Sequence, residues 1–122
     1  AAEAAYTTDQ TCVEDMRKAF ERRRDLIVTL AKDIKGLEVN VPEGAFYLFP
    51  KCSSFYGKSD GTHTINNSTD FALYLLEVAH VATVGGDAFG DPDCFRMSYA
   101  TSDDNIIEAM KRIKVATEKL KF

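Results

Sequence analysis

The sequence predicts an α+β domain in the order helix, two strands, helix, two strands, helix, with a small, largely antiparallel sheet covered by helices on one face. Three observations lead there. A long amphipathic segment fills the first third of the chain. Two stretches dense in strand formers, 45–49 and 95–99, each follow a segment rich in turn residues. A second amphipathic segment closes the chain after Ser102.

The opening AAEAAYTT lacks the basic and apolar regions of a signal peptide, and it reads as the end of something already helical. The expectation is a fragment or excised domain of a longer protein. In TCVEDMRKAFERRRDLIVTLAKDIKG, Val13, Phe20, Ile27 and Ile34 recur every seven residues, and Met16, Leu30 and Leu37 fill the adjoining row. That pattern predicts one apolar stripe on a long helix. Thr11 with Glu14 suits a capping box, and Gly36 a C-terminal stop. Residues 1–37 are thus expected to be a linking helical region, and 38–122 the sheet and remaining helices of a single domain. The cluster Arg22, Arg23 and Arg24 reads as a solvated face with Glu21 and Asp25 nearby.

Glu38 to Val41 alternates, Pro42-Glu43-Gly44 bends the chain, and Ala45 to Phe49 reads as a second strand. The polar stretch from Lys51 to Ser68 predicts a long loop. Ser68 or Thr69 is expected to cap a helix carrying Phe71, Leu75, Leu76 and Val78. Val81 to Val84 suits a short strand running into Gly85-Gly86, and Phe95 to Tyr99 the last strand. Ser102 then caps a final helix with Ile106, Met110, Ile113 and Leu120 on one side.

The bulk properties narrow the function. A net charge of −4 argues against nucleic acid or an anionic membrane as partner, because both need a basic surface. No apolar run approaches the roughly 18 residues of a membrane span. Cys12, Cys52 and Cys94 are widely spaced and form no CxxC pair, and neither His63 nor His80 lies near them, so no zinc spacing is present. Three reduced thiols in a cytosolic protein are expected. Asp87, Asp91 and Asp93 do not follow an EF-hand spacing, and no metal site is assigned. His63 reads as a loop histidine and His80 as a partner for a helix C-terminus. The VGGDAFGDPD segment has no GxGxxG and no phosphate-loop lysine, so its glycines are assigned to turns or close backbone approach. No nucleophile elbow occurs.

Arg96, between Phe95 and Met97, is the one residue with chemistry left unexplained. A buried guanidinium needs an anion, and its rigid fork matches a carboxylate in two parallel hydrogen bonds. From pattern alone, an exposed strand charge, a structural ion pair and an anion site all remain open.

Taken together, VPEGAFYLFP, VATVGGDAFG and FRMSYATS, followed by an amphipathic helix, closely resemble the C-terminal small domain of fold-type I, pyridoxal-phosphate-dependent aminotransferases. MRKAFERRRD in the opening helix points the same way, and the best match is the bacterial aspartate aminotransferase branch. The resemblance covers nearly the whole chain. It implies that Arg96 binds the α-carboxylate of an amino-acid substrate and that Phe46 forms part of the pocket wall. The GDAFG loop corresponds to the segment before the arginine strand, where many members have proline in place of Gly85; no contact is assigned to it. The parent enzyme is then a transaminase moving an amino group between an amino acid, aspartate by the match, and a 2-oxo acid.

The resemblance further implies pyridoxal phosphate as cofactor of the full-length enzyme, carried by a lysine in a serine-containing motif of the large domain. None of the lysines here has that context: Lys51 follows Pro50 and Lys58 follows Gly57. No catalytic or cofactor-binding residue is therefore assigned within the chain, and in isolation it is expected to bind no cofactor and to be inactive. The implied partners are the large domain of the same chain and a second subunit in a cytoplasmic homodimer. Two alternatives stay open: a stand-alone amino-acid-binding regulatory module, and another enzyme of the same fold and cofactor, such as a decarboxylase, lyase or synthase.

Overall fold

Alternation along one short strand organises the molecule. In the computed structural model, which describes all of residues 1–122, Phe95 and Met97 are buried, Arg96 is half-buried and Ser98 is exposed. These four residues form β3 (Phe95–Ser98), the centre of a three-stranded antiparallel sheet. On one side β1 (Tyr47–Leu48) pairs Tyr47 with Ser98 and Leu48 with Met97. On the other side β2 (Val84–Gly85) pairs Val84 with Arg96 and Gly85 with Phe95. Residues directly opposite one another share a face. The sheet therefore has a core face bearing Leu48, Phe95 and Met97, and an open face bearing Tyr47, Val84, Arg96 and Ser98.

Four α-helices complete the α+β architecture: α1 (Ala2–Thr7), α2 (Thr11–Lys32), α3 (Ser68–Tyr74) and α4 (Asp103–Glu118). α3 continues into a wider π-type turn over Leu75–Ala79, and His80 ends it in the left-handed conformation at φ 54°. The core lies between the sheet and these helices. Phe71 of α3 stacks on Phe55 at 5.1 Å between ring centroids and meets Phe95 edge-on at 5.0 Å. From α4, Ile106, Met110 and Ile113 enter at helical spacing. Fully burying each such side chain contributes about 1.5–3 kcal/mol. Tyr74 is buried too, and its hydroxyl donates to the carbonyl of Ala116 at 2.8 Å, which removes the penalty of an unpaired polar group.

Several boundaries differ from the sequence reading. Only the C-terminal half of the α2 stripe is buried: Ile27, Val28 and Ala31, followed by Ile34, enter the core, whereas Val13 and Met16 are 57% and 59% exposed. α2 ends at Lys32, and Gly36 instead takes φ 99° in the turn beyond. Thr11 and Glu14 do not form a capping box. The Asp9 carboxylate accepts the Thr11 N–H at 3.1 Å and its hydroxyl at 2.7 Å, while Glu14 turns to Arg17. α1 lies in the opening stretch that reads as the end of something helical, as a short helix separate from α2.

Residues 38–41 do not make a strand. Glu38 alone bridges to Lys51, exchanging hydrogen bonds of 3.1 and 2.9 Å. Alternation marks an extended backbone, but a ladder also needs a neighbour within hydrogen-bonding reach. Likewise residues 81–83 join no ladder, the Val81 N–H donating instead to the Leu75 carbonyl at 3.1 Å, and pairing begins only at Val84. Neither Ser68 nor Thr69 caps α3. Asn67 does, accepting the Asp70 N–H at 2.8 Å, and Ser68 is buried within the first turn, where its hydroxyl accepts the Gly86 N–H at 3.3 Å. Ser102 caps α4 as read, accepting the Asn105 N–H at 3.2 Å. Cys12 is exposed, Cys52 and Cys94 are buried, and all three thiols are free. No helix is long and apolar enough to cross a membrane.

Candidate functional site

The open face of the sheet places Arg96 beside two aromatic side chains. Tyr47, opposite Ser98 on β1, lies with its ring centre 4.4 Å from the guanidinium carbon of Arg96. Phe89 comes from a single 3₁₀ turn, Gly86–Phe89, and its ring centre lies 4.1 Å from the same carbon. Both distances are well inside the range of about 6 Å at which a ring face attracts a cation. Phe49 meets Phe89 edge-on at 6.3 Å and supports it from the side.

Glycine at position 86 makes that turn possible. Its N–H donates to the Cys94 carbonyl at 2.8 Å, and a Cβ there would lie 2.1 Å from the Asp91 oxygen and 2.4 Å from the Cys94 oxygen. No side chain fits. Gly90, in the left-handed region at φ 92°, then reverses the chain towards β3.

The arginines other than Arg96 all have carboxylate partners. Arg17 reaches Glu14 at 2.8 Å and Glu21 at 3.0 Å, Arg24 reaches Asp25 at 3.0 Å, and Arg112 reaches Glu108 at 2.9 Å. Arg22 and Arg23 approach Asp103 at the start of α4, at 3.3 and 3.6 Å. Of the basic run, Arg24 pairs with Asp25 as the sequence suggests, whereas Arg22 and Arg23 turn to Asp103 and the Nε of Arg23 is buried without a hydrogen-bond partner. Arg96 is packed by rings and pairs with no carboxylate of the chain, which leaves its in-plane N–H donors for an anion.

Phe46 lies on the other side of Tyr47. It lines a cavity of about 490 Å³ with Phe20, Arg17 and Arg24 of α2, Glu43 and Tyr99. Its ring stacks on Phe20 at 5.7 Å and tilts against Tyr47 at 4.7 Å. Arg96 is not on the cavity wall, so the two residues singled out from sequence meet only through Tyr47. Tyr47 and Phe89 are the residues that sequence reasoning missed. Tyr47 was within reach, since cross-strand pairing of GAFY with RMSY puts it on the arginine face. Phe89 was not, because its position depends on a tertiary turn.

The remaining titratable groups serve the structure. Burial pushes the Cys52 thiol up to about 12 and the Cys94 thiol up to about 11, which suppresses the nucleophilic thiolate. His63 is more than a loop histidine: Nδ1 lies 3.1 Å from Asp60 and Nε2 2.9 Å from Glu77, joining the 51–68 loop to the π-type turn. The hydrogen bonds to Asp60 and then Glu77 raise its pKa, while the backbone N–H groups of His63 and Thr62 hold Asp60 down at about 2. Asp91 accepts the Asp93 N–H at 3.0 Å, and no three metal-ligating side chains converge anywhere.

A small α+β layer thus presents one ring-packed arginine, without a carboxylate partner, on its open sheet face. Its family follows from comparison with known proteins. Residues 1–113 match the model for aminotransferase class I and II, and the chain belongs to that family. An aspartate aminotransferase of Rhizobium meliloti (strain 1021) is 46% identical over 118 residues, covering 96% of this chain and 29% of the relative. A bifunctional aspartate aminotransferase and glutamate/aspartate-prephenate aminotransferase of Petunia hybrida is 47% identical over 110 residues, 89% of this chain and 23% of its own length. The crystal structure of the aspartate aminotransferase from Rhizobium meliloti superposes with a TM-score of 0.92 at 44% identity, over 97% of this chain and 30% of that one. An alanine aminotransferase from Pyrococcus furiosus superposes at 0.82 with 29% identity, over 94% of this chain and 28% of that one. The chain therefore spans less than a third of the length of these relatives.

Proposed function

We propose that this chain is the substrate-carboxylate-binding part of a pyridoxal-phosphate-dependent transaminase, and that Arg96 binds the α-carboxylate of the amino acid. The observation that carries the reading is the state of Arg96: half-buried, held by Tyr47 and Phe89, and the one arginine without a carboxylate partner. Its fork accepts a carboxylate in two parallel hydrogen bonds, which fixes the direction of the substrate as well as its place. Orientation of that kind supplies several kcal/mol of barrier lowering when it aligns the reacting bond. Movement of this domain towards the rest of the enzyme would bring Arg96 onto the substrate and exclude water.

In this reading the chain is not the part of the enzyme that cradles the cofactor. No lysine lines the cavity beside Phe46, Lys58 packs over Phe55 and Phe122, and Lys114 pairs with Asp33 at 2.6 Å. The cofactor, which supplies an electron sink to such enzymes when bound, belongs in this reading to residues outside the 122. Aspartate is the substrate that the names of the Rhizobium and Petunia relatives favour, with a 2-oxo acid as acceptor. A homodimeric, cytoplasmic enzyme is part of the same proposal.

Arg96→Lys in the full-length enzyme tests it. The substitution keeps the charge and removes the fork, so KM for aspartate should rise and kcat/KM should fall at least about tenfold. Unchanged kinetics would refute the assignment.

A further inference from the structure

Ala45 adopts φ 57°, a left-handed conformation that side chains rarely take. It is exposed, so packing of its own methyl group does not hold it there. Tyr99 does. Its hydroxyl donates to the Ala45 carbonyl at 2.9 Å, and its backbone N–H donates to the Phe46 carbonyl at 2.8 Å. Tyr99 itself is 1% exposed, in the core at the end of the arginine strand. A rigid, buried residue thus grips two consecutive carbonyls of an exposed loop, that of the strained residue and the next one along. The next two residues carry that grip to the arginine: Phe46 leans on Tyr47, and the Tyr47 ring lies 4.4 Å from the Arg96 guanidinium carbon.

We infer that Tyr99 is a positioning residue for the carboxylate site: its hydroxyl locks Ala45 in the left-handed conformation and so sets the Phe46–Tyr47 aromatic pair against which Arg96 rests. The inference deepens the proposed function and rests on it. Tyr99 acts through the loop and not by touching substrate, and a strained backbone persists where surrounding contacts over-determine it.

The test is Tyr99→Phe in the full-length enzyme, which keeps the buried ring and the backbone N–H and removes only the hydroxyl. Loss of one such hydrogen bond should raise KM for aspartate about fivefold, with kcat changed less than about twofold. Hydrogen exchange over residues 44–48 should quicken while that of 103–118 stays unchanged. Glycine takes positive φ without strain, so adding Ala45→Gly to Tyr99→Phe should restore most of the KM. Ala45→Val, which alters the exposed loop and leaves the core intact, should reproduce the KM defect even if Tyr99→Phe folds poorly. An unchanged KM in folded Tyr99→Phe or, where that variant folds poorly, in Ala45→Val, or a KM defect that Ala45→Gly leaves in place, overturns the inference. If Arg96→Lys alters KM and Tyr99→Phe does not, this inference alone fails; if Arg96→Lys has no effect, the underlying reading fails as well.

Discussion

The Phe89 ring centre lies 4.1 Å from the guanidinium carbon of Arg96, although the two residues are separated by a glycine turn and a change of direction. Phe89 is 44% exposed, so little of its energy is spent on the core. Its role is local to the arginine. The contact keeps a long, flexible side chain in one place without using any of its hydrogen-bond donors.

Phe89→Ala in the full-length enzyme should therefore weaken substrate binding and leave stability nearly unchanged. A partly exposed cation–π contact contributes about 1 kcal/mol, so kcat/KM for aspartate should fall roughly fivefold, mainly through KM. Steady-state kinetics together with thermal unfolding check both halves. A large drop in Tm with normal KM would show that the ring serves the fold instead.

Cofactor binding gives a second expectation. Mixed with pyridoxal phosphate, the 122-residue chain should develop no stoichiometric lysine-adduct absorbance band, because the proposed function assigns the cofactor lysine to residues outside this stretch. A specific one-to-one band in an absorbance titration would contradict the assignment of the cofactor to residues outside this stretch.

Gly86 sets up a stability test. A Cβ there collides with two backbone oxygens, those of Asp91 and Cys94, and backbone cannot step aside as a side-chain end can. Gly86→Ala should destabilise the protein by about 1–3 kcal/mol, the usual range for overpacking a tight site. Denaturant unfolding measures it. Loss of the turn should also release Phe89 from Arg96, so KM should rise in parallel.

The His63 clip predicts a dependence on pH. His63 is raised above its ordinary 6.5 by hydrogen bonds to Asp60 and Glu77, so its contribution is full below pH 6.5 and is lost as pH rises through the elevated folded-state value. Asp60 is depressed from 3.8 to about 2, so its contribution is present above pH 3.8 and is lost as pH falls through about 2. Both are complete between pH 3.8 and 6.5. The Tm gap between wild type and His63→Gln should accordingly be wider at about pH 5 than at about pH 8. A gap that does not change with pH rules out the ionic role.

Much of the fold was legible in the residues themselves. Period-3.6 burial in Ile106, Met110 and Ile113, the Ser102 cap, and strand formers at 47–48 and 95–98 follow from local chemistry, and the structure has them. The misreadings share a cause. Val39 and Val41 alternate like a strand, Thr11 and Glu14 are spaced like a capping box, and Val13 and Met16 continue the apolar stripe, yet each pattern needs a partner that local sequence does not specify. Asn67 displaced Ser68 as the α3 cap because Ser68 was drawn into the core to meet the Gly86 N–H.

By itself the sequence determined the α+β class and, through GAFYLF, GDAFG and SYATS, the family, and it singled out Arg96. Only the tertiary structure decided which rings hold the guanidinium, that Phe46 and Arg96 meet through Tyr47, and that Tyr99 grips the Ala45 loop. The physical reason is range. Propensity, capping and alternation act over a few residues, whereas Arg96 is held by Tyr47 from a distant strand and by Phe89 across a tertiary turn, above the buried Phe95 and Met97.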